Sequence, residues 1–174
     1  MPVIGVALSI PEPWASELQA YRTTIDASAA LVPTHITLVP PTVIDEADLI
    51  PVEEHLAKVA EATMPFDVHL RGTGTFRPVS PVVFVSLAEG ISRTEQLAAA
   101  VRSGPLGIDV EFPFHPHVTV AHHLPEEQMD RAFVDLTAFD CTFAVTSFHL
   151  YVHDDAEGWR PTRDFTLQRA DGAD

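Results

Sequence analysis

Two segments of the chain carry the same pattern: a histidine, an aliphatic residue, a threonine and a second aliphatic residue. They are HITL at residues 35–38 and HVTV at residues 117–120. Alternate residues of a β-strand point to opposite faces, so histidine and threonine share one face and the aliphatic side chains share the other. The aliphatic face belongs in a core, whereas the polar face needs a cleft or hydrogen-bond partners. The repeat therefore predicts two half-buried strands in an approximate internal duplication.

Hydrophobic periodicity places these segments in an alternating series of strands and helices. The predicted strands are Val3–Ile10, His35–Val39, Phe66–Phe76, Val82–Leu87, Val118–Ala121, Phe143–His153 and Phe165–Gln168. The predicted helices are Pro11–Ala30, Asp45–Ala62, Ser92–Arg102 and Pro125–Leu136, the third capped by Ser92 with Glu95 three residues later. The last two strands are expected to pair across a loop over Asp154–Asp164.

No linker-like stretch divides this series, and the half around His35 is similar to the half around His117. The pattern favours a single α+β domain over residues 1–170. Two pseudo-symmetric lobes, each a mostly antiparallel sheet backed by helices, are expected to place their His-x-Thr strands along a central cleft. The tail over residues 171–174 is expected to be loose.

Charge and composition limit the function classes open to the chain. A net charge of −15 argues against broad, salt-sensitive binding to nucleic acid, but leaves room for a small phosphate ligand held locally. The longest apolar runs are far shorter than the ~20 residues of a membrane helix, and the N-terminal apolar stretch lacks the preceding basic region of a signal peptide. Cys141 is the only cysteine, so a reducing, cytoplasmic location is expected. No surface pattern indicates an oligomer, and a monomer is expected.

Two histidines that face one cleft can divide acid and base work between them. Histidine titrates near neutral pH, so one imidazole can be neutral while the other is protonated. The neutral ring would take a proton from water, and the protonated ring would give one to a leaving oxygen. The hydroxyls of Thr37 and Thr119 could hold the non-bridging oxygens of a phosphate between them. His35, Thr37, His117 and Thr119 are therefore the predicted catalytic residues, without a metal or cofactor.

The two motifs resemble the paired His-x-Thr-x signature of the 2H phosphoesterase superfamily, in its 2′-5′ RNA ligase-like and cyclic phosphodiesterase branch. FHPHVTVAH, residues 114–122, resembles the second motif of that family. GTGTFRP, residues 72–78, with the following VVFVSL, resembles its glycine-rich strand and apolar strand. The segment from residue 149 to 167 resembles its C-terminal hairpin. The resemblance covers nearly the whole chain.

This resemblance implies the bilobal α+β fold and a metal-independent phosphoesterase. The family acts on 2′,3′-cyclic phosphates, 2′-5′ linkages or related phosphodiesters, and hydrolysis of a 2′,3′-cyclic nucleotide to a 2′-phosphate is the first reaction expected. After its second motif the family often has a basic residue where this chain has His122. The expected ligand is a small nucleotide or cyclic phosphate, or an RNA end.

Further side chains are candidates for substrate binding. Arg77 follows the glycine-rich strand and could reach a phosphate, as could Arg160 and Arg163 in the last loop. Aromatic faces can stack on any base. The aromatic candidates for this role are Phe76, Phe114, Tyr151 and Trp159.

Two alternatives come from other functional classes. His115, His117, His122 and His123 lie within nine residues, which is compatible with a metal-dependent hydrolase or a metal-binding module. That reading leaves the motif at His35 unexplained. A catalytically silent nucleotide-binding domain is the second alternative, although binding alone would not require two proton-transfer groups.

Overall fold

The computed structural model describes residues 1–108 and 114–168. Within these ranges the strands are β1 (Val3–Ser9), β2 (His35–Val43), β3 (Phe66–Thr75), β4 (Val82–Glu89), β5 (His117–His122), β6 (Asp140–Val145), β7 (Ser147–Asp154) and β8 (Gly158–Thr166). The α-helices are α1 (Trp14–Ile25), α2 (Leu49–Glu61), α3 (Ile91–Arg102) and α4 (Glu126–Asp135). The tail predicted over residues 171–174 lies outside the described residues. No helix of the described ranges is long and apolar enough to cross a membrane.

The strands form one antiparallel sheet in the order β6-β3-β4-β5-β2-β1-β7-β8. The order is symmetric about its centre, where the two motif strands β2 and β5 are neighbours and Ile36 pairs with Val118. Helix α1 contacts β5, and helix α3 contacts β2, so each helix reaches the central strand of the other half. The α+β class and the antiparallel pairing are confirmed, and the sheets expected for the two halves join into one.

The aliphatic residues of both motifs are buried in the core, as predicted. Ile36, Leu38 and Val118 have no exposed surface and Val120 is 1% exposed. The intervening histidines and threonines are half-buried. Burial of each aliphatic side chain stabilises the fold by roughly 1.5–3 kcal/mol and holds the polar residues on the opposite face.

The predicted strand Phe143–His153 is wrong, because two strands occupy this segment. β6 lies at one edge of the sheet and β7 lies near the other. Buried side chains occupy odd positions in β6 (Phe143, Val145) and even positions in β7 (Phe148, Leu150). Alternation keeps its phase along an uninterrupted strand, so this change of phase marks the break at Thr146.

The loop predicted over Asp154–Asp164 is also wrong. Only residues 155–157 form the turn, and β8 begins at Gly158. β8 is an edge strand whose central residues 160–164 are exposed and include Pro161. Charged residues and proline are typical of edge strands, and they remove the alternation by which strands are recognised.

Several predicted boundaries move for local reasons. α1 ends at Ile25, because Asp26 is extended and its carboxylate accepts a hydrogen bond from the Ser28 amide, starting a separate 3-10 helix. α3 is capped by Gly90 at φ +90° and not by Ser92. β2 continues past Pro40 to Val43, paired with β1. The second predicted helix begins later, at Leu49, after a short 3-10 turn.

Gly158 is required where β8 begins. Its φ is +76°, and an added Cβ would lie 2.7 Å from the Cβ of Leu31 and closer still to the Leu31 carbonyl oxygen. Gly158→Ala is therefore expected to lower the free energy of unfolding by about 1–3 kcal/mol in urea denaturation. Gly107→Ala is the control, since Gly107 is also left-handed (φ +50°) but its Cβ would meet nothing closer than 3.8 Å. An equal loss in both variants would contradict a role for the Leu31 contact.

Candidate active site

The two motifs lie side by side at the centre of the sheet. Because Ile36 is opposite Val118 in an antiparallel pair, His35 is opposite Thr119 and Thr37 is opposite His117. All four side chains lie on the sheet face opposite the buried aliphatic residues, as the repeat predicts. Their polar groups are therefore brought together in a crossed arrangement, with a histidine and a threonine on each strand.

Both motif histidines have the same hydrogen bond at the ring nitrogen nearer the backbone. His35 Nδ1 is 2.5 Å from the Pro33 carbonyl oxygen, and His117 Nδ1 is 2.6 Å from the His115 carbonyl oxygen. A carbonyl oxygen only accepts, so Nδ1 carries the hydrogen in each ring. The neutral imidazole then has its lone pair on Nε2. For His35 this nitrogen is 3.0 Å from Thr37 Oγ1, whose hydroxyl donates to it.

Burial lowers the pKa of both histidines. For His35, desolvation is the largest cause, the backbone hydrogen bond opposes it, and the Arg22 charge lowers the pKa further. For His117, desolvation is again the largest cause, and the backbone hydrogen bond to His115 opposes it. The charges of His115 and His35 lower the His117 pKa further. Since a charge on His35 disfavours a charge on His117, the pair favours states with at most one proton on the two Nε2 atoms.

Arg22 of α1 is a charged residue near the motif histidines that the sequence interpretation did not identify. It is 8% exposed and donates one long hydrogen bond, of 3.5 Å, to the Val32 carbonyl oxygen. It forms no ion pair with a carboxylate of residues 1–108 or 114–168. Its charge lowers the pKa of both His35 and His122. Burial lowers the pKa of the Arg22 guanidinium and the Asp26 charge opposes this, without an ion pair between the two among the described residues. A buried guanidinium beside two site histidines is a candidate anion contact.

A cavity of about 290 Å³ opens beside the His35 motif. His35, Thr37 and His122 line its polar side. Its apolar side includes Tyr151 and Trp159, and the Trp159 ring lies over Gly5, where an added Cβ would be 3.5 Å from it. Of the predicted substrate-binding residues, His122, Tyr151 and Trp159 therefore lie together at this cavity. Burial is the largest cause that lowers the pKa of His122, and the charge of the neighbouring His123 lowers it further.

The other predicted binding residues do not line this cavity. Phe76 packs edge-on against the His117 ring, with 4.9 Å between centroids. Arg77 is held by Asp130, with 2.7 Å between Nη1 and Oδ1. Phe114 packs under the Arg102 guanidinium at 4.5 Å.

The two loop arginines are also engaged with carboxylates. Arg160 pairs with Glu157 and Arg163 with Glu53, each at 3.0 Å. Neither lines the cavity beside His35.

The histidine cluster considered as a metal site does not converge. The rings of His115 and His117 lie 6.2 Å apart and both contact Phe76, while His122 contacts His123. Within the described parts of the chain, no three histidine, cysteine, aspartate or glutamate side chains are grouped as metal ligands. The arrangement in these ranges gives the metal alternative no support.

Comparison with solved structures identifies the same fold in other proteins. Escherichia coli LigT complexed with 3′-AMP matches with a TM-score of 0.73 at 21% identity, over 96% of this chain and 99% of that one. TT0787 of Thermus thermophilus matches with a TM-score of 0.70 at 23% identity, over 96% and 98%. Other LigT structures contain NADP⁺, phosphate or ATP.

Sequence relatives and a family model cover most of the chain. A protein of Oceanobacillus iheyensis, named as a candidate phosphoesterase, is 27% identical over 95% of this chain and 98% of its own length. One from Bacillus licheniformis, named likewise, is 29% identical over 85% and 88%. The model of the 2′-5′ RNA ligase superfamily matches residues 10–157 and so includes both His-x-Thr motifs. The chain therefore belongs to the 2′-5′ RNA ligase superfamily, within the 2H phosphoesterases.

Proposed function

We propose that this protein is a metal-independent phosphoesterase that hydrolyses a 2′,3′-cyclic nucleotide to a nucleoside 2′-phosphate. The observation that carries the proposal is the pair of motif histidines on adjacent strands, each with Nδ1 bound to a backbone carbonyl oxygen. This leaves two Nε2 atoms on one face for proton transfer. Family membership and relatives named as candidate phosphoesterases support the reaction class.

In the proposed reaction one neutral Nε2 takes a proton from water as the water oxygen attacks phosphorus. The bond from phosphorus to O3′ breaks, and the other histidine, protonated at Nε2, gives its proton to O3′. One proton is taken and one is given, so the pair returns to its starting charge with the two roles exchanged. The residues alone supply both transfers, and no metal-bound water is needed.

The charge on the phosphate needs nearby donors. Thr119 lies opposite His35 and can donate its hydroxyl hydrogen to a non-bridging oxygen, and Thr37 can do the same once its hydroxyl turns from His35 Nε2 to the phosphate. Arg22 adds a permanent positive charge near His35 and His122. Arg22 would keep this charge at pH values where His122, whose pKa is lowered by burial, is neutral.

The cavity beside His35 would hold the nucleoside. Tyr151 and Trp159 offer aromatic faces to a base, and the volume of about 290 Å³ is close to the lower end of ligand pockets. The nucleotide complexes of LigT support a small nucleotide ligand. The net charge of −15 disfavours long RNA, whereas an RNA end with a terminal cyclic phosphate would need only local contacts.

The substrate assignment is tested by incubating the protein with 2′,3′-cyclic AMP, 3′,5′-cyclic AMP and a 2′-5′-linked adenosine dinucleotide. The products are separated chromatographically against 2′-AMP and 3′-AMP standards. We expect 2′-AMP as the main product from 2′,3′-cyclic AMP. Binding of 2′,3′-cyclic AMP by calorimetry without turnover of any compound would instead support the silent binding domain.

Activity is expected to show a bell-shaped pH profile with its maximum on the acid side of pH 7. The lowered pKa values leave both histidines mostly neutral at pH 7, so the proton donor is scarce. kcat/KM should rise as the pH falls towards those pKa values, and should fall once both rings are protonated. Measurement of kcat/KM between about pH 5 and pH 9 checks this, and a maximum above about pH 7 would contradict it.

A further inference from the structure

We propose that Ser9 is an activated nucleophile that accepts an acyl or phosphonyl group from an activated ester or fluoride. The activating groups would be His149 and Asp164, which the proposed phosphoesterase reaction does not use. These three residues would form a second reactive centre, independent of the substrate that the motif histidines take.

Three side chains on adjacent strands form a continuous hydrogen-bonded chain. Ser9 Oγ at the end of β1 is 2.8 Å from His149 Nε2 on β7. His149 Nδ1 is 2.6 Å from Asp164 Oδ1 on β8. Sheet pairing supports the geometry, because His149 lies opposite Ala7 on one side and opposite Asp164 on the other. The spacing matches a nucleophile, a base and a group that orients the base.

The hydrogen positions in this chain follow from its acceptors. The Asp164 carboxylate can only accept, so Nδ1 of His149 carries the hydrogen and Nε2 has the lone pair. Ser9 therefore donates its hydroxyl hydrogen to Nε2, which is the arrangement needed for deprotonating the serine. As a proton moves to Nε2, the carboxylate stabilises the resulting imidazolium.

The nucleophile is accessible, and its base is held in place. Ser9 is exposed, whereas the His149 side chain is only 15% exposed. Ser9 lies directly opposite His35 in the β1–β2 pairing, so it lies at the edge of the proposed phosphate site. An electrophile in this part of the sheet face can reach Ser9 without a rearrangement of the backbone.

A fluorophosphonate can serve as the electrophile in this step. The Ser9 oxygen attacks phosphorus, the Oγ–P bond forms and the P–F bond breaks. Fluoride leaves, and the serine proton passes to His149 Nε2. The product is a stable phosphonyl serine, which makes the step observable without turnover.

The test uses a biotin-linked fluorophosphonate on the whole protein, with labelling rates at individual serines followed by peptide mass spectrometry. Ser28 is the internal control, because it is exposed and bonded to the Asp26 carboxylate at 2.6 Å but the bond involves no imidazole. Ser9 should be labelled at least about 100-fold faster than Ser28, as expected of general-base assistance. Labelling of Ser9 no faster than Ser28 would overturn the proposal without any variant.

Variants then assign the roles. Ser9→Ala should remove the fast label, and His149→Gln should slow it by about 100-fold. Asp164→Asn should also slow it, since the amide no longer fixes the tautomer. Circular dichroism checks that each variant folds. Fast labelling that persists in a folded His149→Gln protein would overturn the role of His149. Since this assay does not use a cyclic phosphate, its outcome is separate from that of the proposed phosphoesterase.

Discussion

Replacing His35 or His117 by alanine is expected to lower turnover of 2′,3′-cyclic AMP by about 10²–10⁴-fold, because each removes one of the two proton-transfer groups. The double variant should lose little more turnover than the less active of the two single variants. The effects of removing an acid and a base that act in one step are not additive. kcat and KM are measured for all three proteins. The loss should fall mainly on kcat, because proton transfer is made only in the transition state.

His69→Ala provides the matched control for this series. His69 is half-buried like the motif histidines, but it lies on β3 and bonds to Asp140 at 2.8 Å. Its replacement should leave kcat unchanged. If the losses in His35→Ala and His117→Ala multiply in the double variant, the two residues act independently, and the shared acid–base step is wrong.

Replacing Arg22 by methionine is expected to lower kcat/KM by about 10–100-fold, the effect of losing one charged hydrogen bond to the phosphate. The free energy of unfolding should stay constant or rise, because the variant removes a buried charge whose desolvation outweighs the effect of the Asp26 charge and which forms no ion pair among the described residues. The pH maximum should also move upward, since the Arg22 charge helps to hold the pKa of His35 down. Steady-state kinetics across pH and urea denaturation measure the three effects.

Arg102→Met separates a substrate contact from a structural one. Arg102 is equally buried at 8%, but its Nε donates to the Leu38 carbonyl oxygen at 2.8 Å and its guanidinium covers Phe114. That variant should lose stability without moving the pH maximum. If Arg22→Met is destabilised to the same degree and its pH profile stays fixed, Arg22 is a structural residue and not a phosphate contact.

The four residues at the centre of the site could be predicted from the sequence because each motif lies within four consecutive residues. Each His-x-Thr motif fixes its own facing through strand alternation, and antiparallel pairing of Ile36 with Val118 then crosses the two motifs. Tyr151 and Trp159 are candidates because aromatic faces can stack on any base, and both line the cavity.

The surroundings of the site could not be predicted in the same way. Arg22 sits in an ordinary amphipathic helix, and only the packing of α1 against β5 brings its charge near His35 and His122. The hydrogen bond from Arg77 to Asp130 is likewise a tertiary contact, since Asp130 lies 53 residues further along the chain. In the fold, the sequence pattern predicts only the end of β8, because an exposed edge strand has no alternating apolar pattern.

The most direct test of the account is the rate of 2′,3′-cyclic nucleotide hydrolysis by the wild-type protein in excess EDTA. All four nucleoside 2′,3′-cyclic monophosphates are used, and the His35→Ala/His117→Ala protein, purified identically, reports any contaminating activity. We expect turnover that survives EDTA and is absent from the double variant. Turnover that EDTA abolishes, or that the double variant retains, would contradict a metal-independent reaction carried by the two motif histidines.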